Sequence, residues 1–156
     1  MFMIRKYEAQ YQNRLFQFLE ICLPQSGRKF EPNGRHKMYN NVPGYFEHFW
    51  CLFDGEDMIG TAALKKLDSG RCELKALYLL EKYHKKGLGR RLLNTVLHKA
   101  RQDGYAEIYL DTLSSSRRAV RLYEKAGFER TERYNDNYTA DIFMALKLRE
   151  TAGSLS

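Results

Sequence analysis

A basic turn with two glycines is the part of this sequence whose residue types point most directly to chemistry. An apolar segment ending in Leu77-Tyr78-Leu79 leads to His84-Lys85-Lys86-Gly87-Leu88-Gly89-Arg90-Arg91, and an amphipathic helix follows. Glycines let backbone N–H groups come close to a ligand, and the first N–H groups of a helix lack helical partners. With the helix dipole and the cationic side chains, the turn suits a phosphate or pyrophosphate. A strand–turn–helix corner with a solvated basic rim explains the same residues equally well.

The spacing of these glycines excludes two familiar phosphate-binding loops. The run Gly87-Leu88-Gly89-Arg90-Arg91-Leu92 lacks the third glycine of a dinucleotide-binding fingerprint. It also lacks the Lys-Ser/Thr pair that follows the glycines of a P-loop. A phosphate bound here would therefore be held by a different kind of loop.

Length and composition are those of an ordinary soluble domain. The chain has 156 residues, of which 44% are hydrophobic and 29% are charged, and a chain of this size buries about two thirds of its unfolded surface. We expect a single domain over residues 1–148 and a polar tail over 149–156. The sequence has no apolar run of the roughly 18 residues that a membrane span needs. Its charged start does not resemble a signal peptide.

The cysteine content indicates the cellular compartment, and the net charge indicates which partners the protein could bind. Three widely spaced cysteines predict neither a disulfide framework nor a metal site, which favours the reducing cytoplasm. The net charge of +7 is concentrated in residues 81–156, which hold 15 Lys/Arg against 10 Asp/Glu. Such a surface attracts nucleic acid or a small polyanionic cofactor. Because no nucleic-acid-binding signature accompanies it, we rank nucleic acid well below the cofactor. The sequence is compatible with a monomer and with a homodimer.

Hydrophobic periodicity predicts the elements that position the turn. It indicates a helix over 8–22 ended by Pro24, and then an irregular stretch over 25–44 that suits a covering loop. Ser114-Ser115-Ser116 offers N-cap hydroxyls to a later helix that Gly127 ends. The other predicted elements are strands at Phe2–Lys6, 46–53, 57–65, 72–79, 106–111, 127–134 and 138–147, and a helix over 88–103 that Gly104 ends.

The order of these elements predicts the fold class. A helical crossover joins the strand ending at Leu79 to the strand at 106–111, so these two strands are parallel neighbours. The expected fold is α/β (α+β), with a mixed, mostly antiparallel sheet of about seven strands and about four flanking helices. Ligands in such sheets bind beyond the carboxyl ends of the strands, where the sheet arrangement changes. The glycine turn lies at that point.

Two motifs in this order resemble the GNAT family of N-acetyltransferases. Glu73-Leu74-Lys75-Ala76-Leu77-Tyr78-Leu79 followed by His84-Lys85-Lys86-Gly87-Leu88-Gly89 is similar to the family's strand and its Gln/Arg-x-x-Gly-x-Gly/Ala turn. Ala119-Val120-Arg121-Leu122-Tyr123-Glu124-Lys125-Ala126-Gly127-Phe128 is similar to the signature A-I-x-L-Y-E-K-x-G-F. The resemblance covers residues 46–148 well.

The resemblance implies the acyl-CoA N-acyltransferase fold and acetyl-CoA as acyl donor. Backbone N–H groups from Lys85 through Arg90 would then hold the pyrophosphate. The main chain of Leu77-Tyr78-Leu79 would pair with the pantetheine amides like an added strand, and an N–H near Leu79 would polarise the thioester carbonyl. His84 stands where the family carries Gln or Arg, and Ser116 where it often carries Asn. We expect a weakened contact at Ser116.

The resemblance also implies catalytic roles. Tyr123, which belongs to the cofactor-binding set as well, matches the general acid, because a phenol (pKa ~10) can protonate a leaving thiolate (pKa ~8.5). A half-buried packing tyrosine is the alternative. Glu73 precedes His84 by 11 residues, the spacing at which the histone-acetylating branch carries its base. A solvated strand glutamate is the alternative, and Asp111 or water would then deprotonate the amine.

The acceptor is implied only as a primary amine of a small molecule or peptide. We expect the 25–49 loop and the 131–141 turn to form its walls, because carboxylates beside aromatic rings suit an ammonium group. The same residues suit a solvated surface. The alternative function is a non-catalytic acyl-CoA-binding or nucleic-acid-interacting module that keeps the fold, and Tyr123 discriminates, since a binding domain needs no phenol there.

Overall fold

The computed structural model describes residues 1–149, which form seven strands and four helices. The strands are β1 (Phe2–Lys6), β2 (His48–Asp54), β3 (Asp57–Lys66), β4 (Arg71–Leu79), β5 (Glu107–Thr112), β6 (Glu129–Arg130) and β7 (Ile142–Lys147). The helices are α1 (Gln12–Gln25), α2 (Val42–Tyr45), α3 (Leu88–Gln102) and α4 (Arg117–Lys125). None of the helices in this range is long and apolar enough to span a bilayer.

The strands form one sheet in the order β1-β2-β3-β4-β5-β7-β6. β1 and β2, β2 and β3, β5 and β7, and β6 and β7 pair antiparallel. β4 and β5 pair in parallel, from Arg71↔Glu107 to Glu73↔Tyr109. A parallel pair needs a crossover connection, and α3 supplies it. The predicted fold class, a mixed and mostly antiparallel sheet with one parallel pair, is confirmed.

The described chain divides into two compact units. The first combines Met1–Lys65 with Lys75–Val96, and the second combines Lys66–Leu74 with the described residues from Leu97 onward. β4 and α3 each contribute residues to both. A single domain over residues 1–148 stays a prediction, and positions 150–156 of the predicted tail lie outside the described residues.

An aromatic core fills the first unit and fixes the irregular stretch that follows α1. Tyr39 is 4% exposed, and its ring lies 5.8 Å from Phe46 and 6.3 Å from Phe49. Aromatic pairs of this kind contribute about 0.5–1.5 kcal/mol beyond the burial of their surface. The other buried members of the cluster are Tyr11, Leu15, Phe18, Leu19, Cys22, Leu23, Val42, Cys51, Phe53, Met58, Ala63 and Ala76.

The predicted glycine stops of α3 and α4 are confirmed. Gly104 and Gly127 both adopt a left-handed backbone, with φ of 85° and 103°. After α4, the N–H of Phe128 donates to the Tyr123 carbonyl at 3.0 Å, which satisfies a carbonyl of the last turn. A glycine adopts this conformation without steric cost, so the sequence signal is a physical one.

The predicted end of α1 at Pro24 is wrong. The helix continues to Gln25, one residue past the proline, although Pro24 cannot donate an N–H and its ring crowds the carbonyl of the preceding turn. The stop is Gly27, which has a φ of 79° and donates its N–H to the Pro24 carbonyl at 3.0 Å. Arg28 donates its N–H to the Leu23 carbonyl, also at 3.0 Å, which completes the terminating motif.

The last two strands are shorter than the predicted ranges 127–134 and 138–147. The intervening backbone leaves the ladder because polar groups of the turn bind one another. Arg133 donates to the carbonyl of Asn137 at 2.8 Å and to that of Ala140 at 3.2 Å. This closed turn holds the site residues described below.

Candidate active site

β4 changes course at Ala76, which has a left-handed backbone with φ of 53°. The Thr61 hydroxyl donates to the Ala76 carbonyl at 2.7 Å, and both residues are buried. A non-glycine residue in this conformation costs on the order of 1–3 kcal/mol, so the surrounding packing must hold it. Such an irregularity re-aims the residues that follow it along the strand.

The main-chain N–H and C=O groups of Leu77 and Leu79 point to the side of β4 that lies away from β3. The Tyr78 carbonyl faces β3, where it lies 3.0 Å from the position that a Cβ at Gly60 would occupy. The Leu80 N–H also donates to a β3 carbonyl, at 3.0 Å. Because these directions alternate along a strand, Leu77 and Leu79 direct their main chain away from β3. This is the edge on which we expect the pantetheine.

The segment between β4 and the glycine turn is fastened to two other parts of the first unit. The Glu81 N–H donates to the Gln25 side-chain oxygen at 2.9 Å, and the Tyr83 hydroxyl donates to Asp54 Oδ2 at 2.8 Å. The bond to Asp54 is the largest contribution that raises the pKa of Tyr83. The turn therefore starts from a backbone tied to α1 and to the end of β2.

His84 closes this segment onto the end of β4. Its Nε2 lies 3.0 Å from the Leu79 carbonyl oxygen, and its side chain is partly buried. A carbonyl accepts only, so Nε2 carries the hydrogen here, in either the neutral ring or the imidazolium. The residue at the family's Gln/Arg position thus joins the last residue of β4 to the first residue of the turn.

The glycine turn alternates left-handed residues and ends on a buried leucine. Lys85 and Gly87 have φ of 66° and 78°, and Leu88 is only 2% exposed. The Arg91 N–H donates to the Gly87 carbonyl at 3.2 Å, the first bond of α3. The N–H groups before it have no partner within the helix, and such groups can bind an anion. The exposed residues of the turn are Lys85, Lys86, Gly87, Arg90 and Arg91, and Gly89 is partly exposed.

Ser116 is the N-cap residue of α4, but its hydroxyl makes no capping hydrogen bond. The prediction that the hydroxyls of 114–116 cap this helix fails at Ser114 too. That hydroxyl donates instead to Asp141 Oδ2 at 2.6 Å, and the Ser114 N–H donates to Asp141 Oδ1 at 2.8 Å. These two bonds lower the pKa of the Asp141 carboxyl. They anchor the loop that precedes α4.

Tyr123 lies on the inner face of α4 and is buried, with 6% of its surface exposed. Its ring centroid lies 5.9 Å from that of Phe128. The packing contact expected of a tyrosine at this helical position is therefore present. The role of Tyr123 as an acid stays a prediction.

Glu73 lies in a buried polar network within the second unit. It is 2% exposed, and its Oε2 accepts from the Tyr134 hydroxyl and, at 3.1 Å, from Asn135 Nδ2. The same amide nitrogen lies 2.6 Å from Asp111 Oδ2, while Asn137 Nδ2 donates to Asp111 Oδ1 at 3.0 Å. One side-chain amide thus bridges two carboxylates.

Sequence reasoning missed Tyr134 and Asn135 as site residues. The run 135–137 shows only turn chemistry, and the contacts of Tyr134 and Asn135 with Glu73 span 61 and 62 residues. No local pattern announces such a pairing. Burial, reinforced by the Glu73 charge, raises the pKa of Tyr134 well above its usual value. Tyr134 is therefore a protonated donor at working pH.

The strand order, the irregular β4 and the glycine turn that opens α3 define an acyl-CoA N-acyltransferase fold. The chain belongs to the acetyltransferase (GNAT) family, whose model matches residues 13–128. This confirms the family that the two motifs predict.

Individual relatives agree with this assignment. YsnE, an uncharacterized N-acetyltransferase of Bacillus subtilis, is 32% identical over 105 residues, 64% of this chain and 69% of that protein. Matches to the next two curated relatives cover 41% and 50% of their lengths. The relatives are named N-acetyltransferases, and the expected enzyme class is confirmed at the level of the family.

Solved structures share the fold over nearly the whole chain. A GNAT-family acetyltransferase of Staphylococcus aureus has a TM-score of 0.87 at 21% identity, covering 96% of this chain and 100% of the other. A Salmonella typhimurium protein, yncA, solved with its cofactor acetyl-CoA, has a TM-score of 0.74 at 20% identity, covering 97% and 96%. At these identities the likeness establishes the fold alone.

Proposed function

We propose that the protein transfers the acetyl group of acetyl-CoA to a primary amine of a small molecule or peptide. The observation that carries the proposal is the glycine turn, whose left-handed Lys85 and Gly87 precede the start of α3. The first N–H groups of a helix have no partner within the helix and can bind an anion. Membership of the GNAT family and the acetyl-CoA bound to the Salmonella protein support the choice of donor.

The glycine turn binds the pyrophosphate of the cofactor, and β4 binds its pantetheine arm. The N–H groups of Lys85 through Arg90 hold the pyrophosphate, and the exposed cationic side chains screen its charge. We assign the pantetheine amides to the main chain of Leu77 and Leu79, a contact that needs no particular side chain. At Leu79 the pantetheine would share the carbonyl with His84, since a carbonyl oxygen has two lone pairs. From the resemblance we add Ser116 and Tyr123 to the cofactor-binding residues.

The chemistry is a direct attack on the thioester. The neutral amine nitrogen forms a bond to the carbonyl carbon, and the tetrahedral oxyanion accepts a hydrogen bond from the β4 main chain. The amine loses a proton to Glu73, directly or through water, and the C–S bond then breaks. Tyr123 protonates the departing thiolate, which leaves as CoA.

The experiment that tests this function is calorimetry followed by an acceptor screen. Titration with acetyl-CoA, CoA and a short oligonucleotide separates a cofactor site from a nucleic-acid surface, and a protein that ignores acetyl-CoA contradicts the proposal. Release of CoA thiol is then measured with spermidine, amino acids, an aminoglycoside and a peptide with a free N-terminus. Tight acetyl-CoA binding with no turnover on any amine would favour the non-catalytic acyl-CoA-binding module.

Location and assembly follow as lesser proposals. Cys22, Cys51 and Cys72 are buried thiols outside any disulfide. Burial raises the pKa of Cys22 and Cys51 to about 12. Such thiols are inert and suit the cytoplasm that we propose. Sedimentation at micromolar concentration tests for a homodimer.

A further inference from the structure

The geometry points to Tyr134 and Asn135 as positioning residues that hold the Glu73 carboxylate in the place and orientation in which it accepts a proton. This inference rests on the proposed function, because it takes Glu73 as the base. It assigns a task to two residues that neither motif of the family contains, in the turn between β6 and β7.

The first step of the argument is the burial of Glu73. At 2% exposure, a carboxylate loses nearly all of its hydration, which disfavours the charged form. A base must be charged before it accepts a proton. The protein therefore has to replace the lost water with donors. Tyr134 and Asn135 are two such donors, which come from one turn and reach one oxygen, Oε2.

The second step is the rigidity of these donors. The Tyr134 ring packs 5.0 Å from Tyr109 and 5.7 Å from Phe143. The Asn135 side-chain oxygen accepts the Asn137 N–H at 3.0 Å, so the amide is held at both ends. Neither donor has to reorganise when Glu73 changes its charge.

The third step is the neighbouring charge. Asp111 shares the Asn135 amide nitrogen, at 2.6 Å against 3.1 Å for Glu73. Two carboxylates this close each disfavour ionisation of the other. The titratable neighbours of Glu73 in the second unit include Tyr134, Asp111 and Tyr109, its partner in the strand pair. Asp111 opposes the effect of the two donors.

The two influences predict shifts of opposite sign. Tyr134→Phe and Asn135→Ala each remove a donor from the charged form, so the acidic limb of the pH–rate profile should move to higher pH by about one unit. Asp111→Asn removes a negative neighbour and should move that limb to lower pH. Loss of structure alone would lower activity at every pH and move neither limb.

The test combines kinetics with a direct titration. Turnover is measured between pH 5 and 9 with the best amine of the screen above, and the Glu73 carboxyl is titrated by carbon NMR in the same variants, which needs no acceptor. Tyr7→Phe is the matched control, since it removes the same hydroxyl from a bond with Gln12 in the other unit. The control should leave both titrations in place.

Each outcome decides one point. Shifts of opposite sign in the donor variants and in Asp111→Asn support the inference. An unmoved Glu73 titration in both Tyr134→Phe and Asn135→Ala overturns it, even if Glu73→Gln is inactive and the base role stands. If Glu73→Gln retains full turnover, the base assignment is wrong and the inference falls with it, while acetyl transfer itself is upheld.

Discussion

The hydrogen bond between His84 and the end of β4 gives the most specific prediction for the cofactor site. His84→Ala removes a bond of 3.0 Å to the Leu79 carbonyl. A neutral hydrogen bond contributes about 1 kcal/mol, and the freed turn must be ordered again when the pyrophosphate binds. We expect the Kd of acetyl-CoA to rise about five- to tenfold, which corresponds to about 1–1.4 kcal/mol. The kcat at saturating cofactor should stay within about twofold.

A rescue and a control distinguish this effect from a general loss of a histidine. Glutamine carries a terminal N–H₂ that can donate to the same carbonyl, so His84→Gln should restore the Kd to within about twofold of the original. His98→Ala removes an exposed histidine of α3 and should leave the Kd unchanged. The Kd is measured by calorimetry with acetyl-CoA and with CoA, and thermal unfolding checks that each variant is folded. An unchanged Kd in His84→Ala, or equal weakening in His84→Gln, would refute the reasoning.

Three further predictions test the surroundings of the site. Gly60→Ala places a Cβ 3.0 Å from the Tyr78 carbonyl, so β4 must shift. We expect the free energy of unfolding in urea to fall by about 1–3 kcal/mol and acetyl-CoA to bind more weakly. Gly70→Ala is the control, since a Cβ there meets nothing within 4 Å. Equal stability of the two variants would contradict the argument. Tyr123→Phe should lower kcat about 10²–10⁴-fold at saturating acetyl-CoA while the cofactor still binds. An unchanged kcat would show that Tyr123 only packs. His36 Nδ1 accepts the Glu31 N–H at 2.9 Å, and burial, followed by the Arg35 charge, lowers the pKa of His36. Below about pH 6.5 the unfolded chain then binds more protons than the folded one, so the free energy of unfolding decreases as the pH is lowered. His36→Asn should flatten this slope in urea unfolding between pH 5 and 7.5, and an identical slope would disprove the role.

Local signals were enough for most of the fold. The stops at Gly104 and Gly127 follow from glycine's access to positive φ, and the two-residue turn between β2 and β3 follows from Gly55, with Asp54 paired to Asp57. Pro24 does not mark the end of α1, because Gly27, three residues later, adopts the positive φ of the terminating motif and donates its N–H to the Pro24 carbonyl. The last strands were overestimated because alternation continues through residues whose polar groups bind elsewhere.

The candidate site divides in the same way. The residues of the glycine turn and of the Leu-Tyr-Glu-Lys motif are contiguous, so the sequence alone names them. The N–H groups at a helix start after a strand favour an anion there. The left-handed conformation of Ala76 (φ 53°) could not be foreseen, because alanine avoids it and only the packing around Thr61 holds it there.

By itself, the sequence determined the order of the elements, the parallel pair, the family and the turn that opens α3, because each depends on neighbouring residues and on period. Only the tertiary structure decided that His84 closes onto Leu79 and that Glu73 receives Tyr134 and Asn135. The contacts with Glu73 join residues more than 60 positions apart. Their energies depend on burial and orientation, which exist only once the sheet has formed.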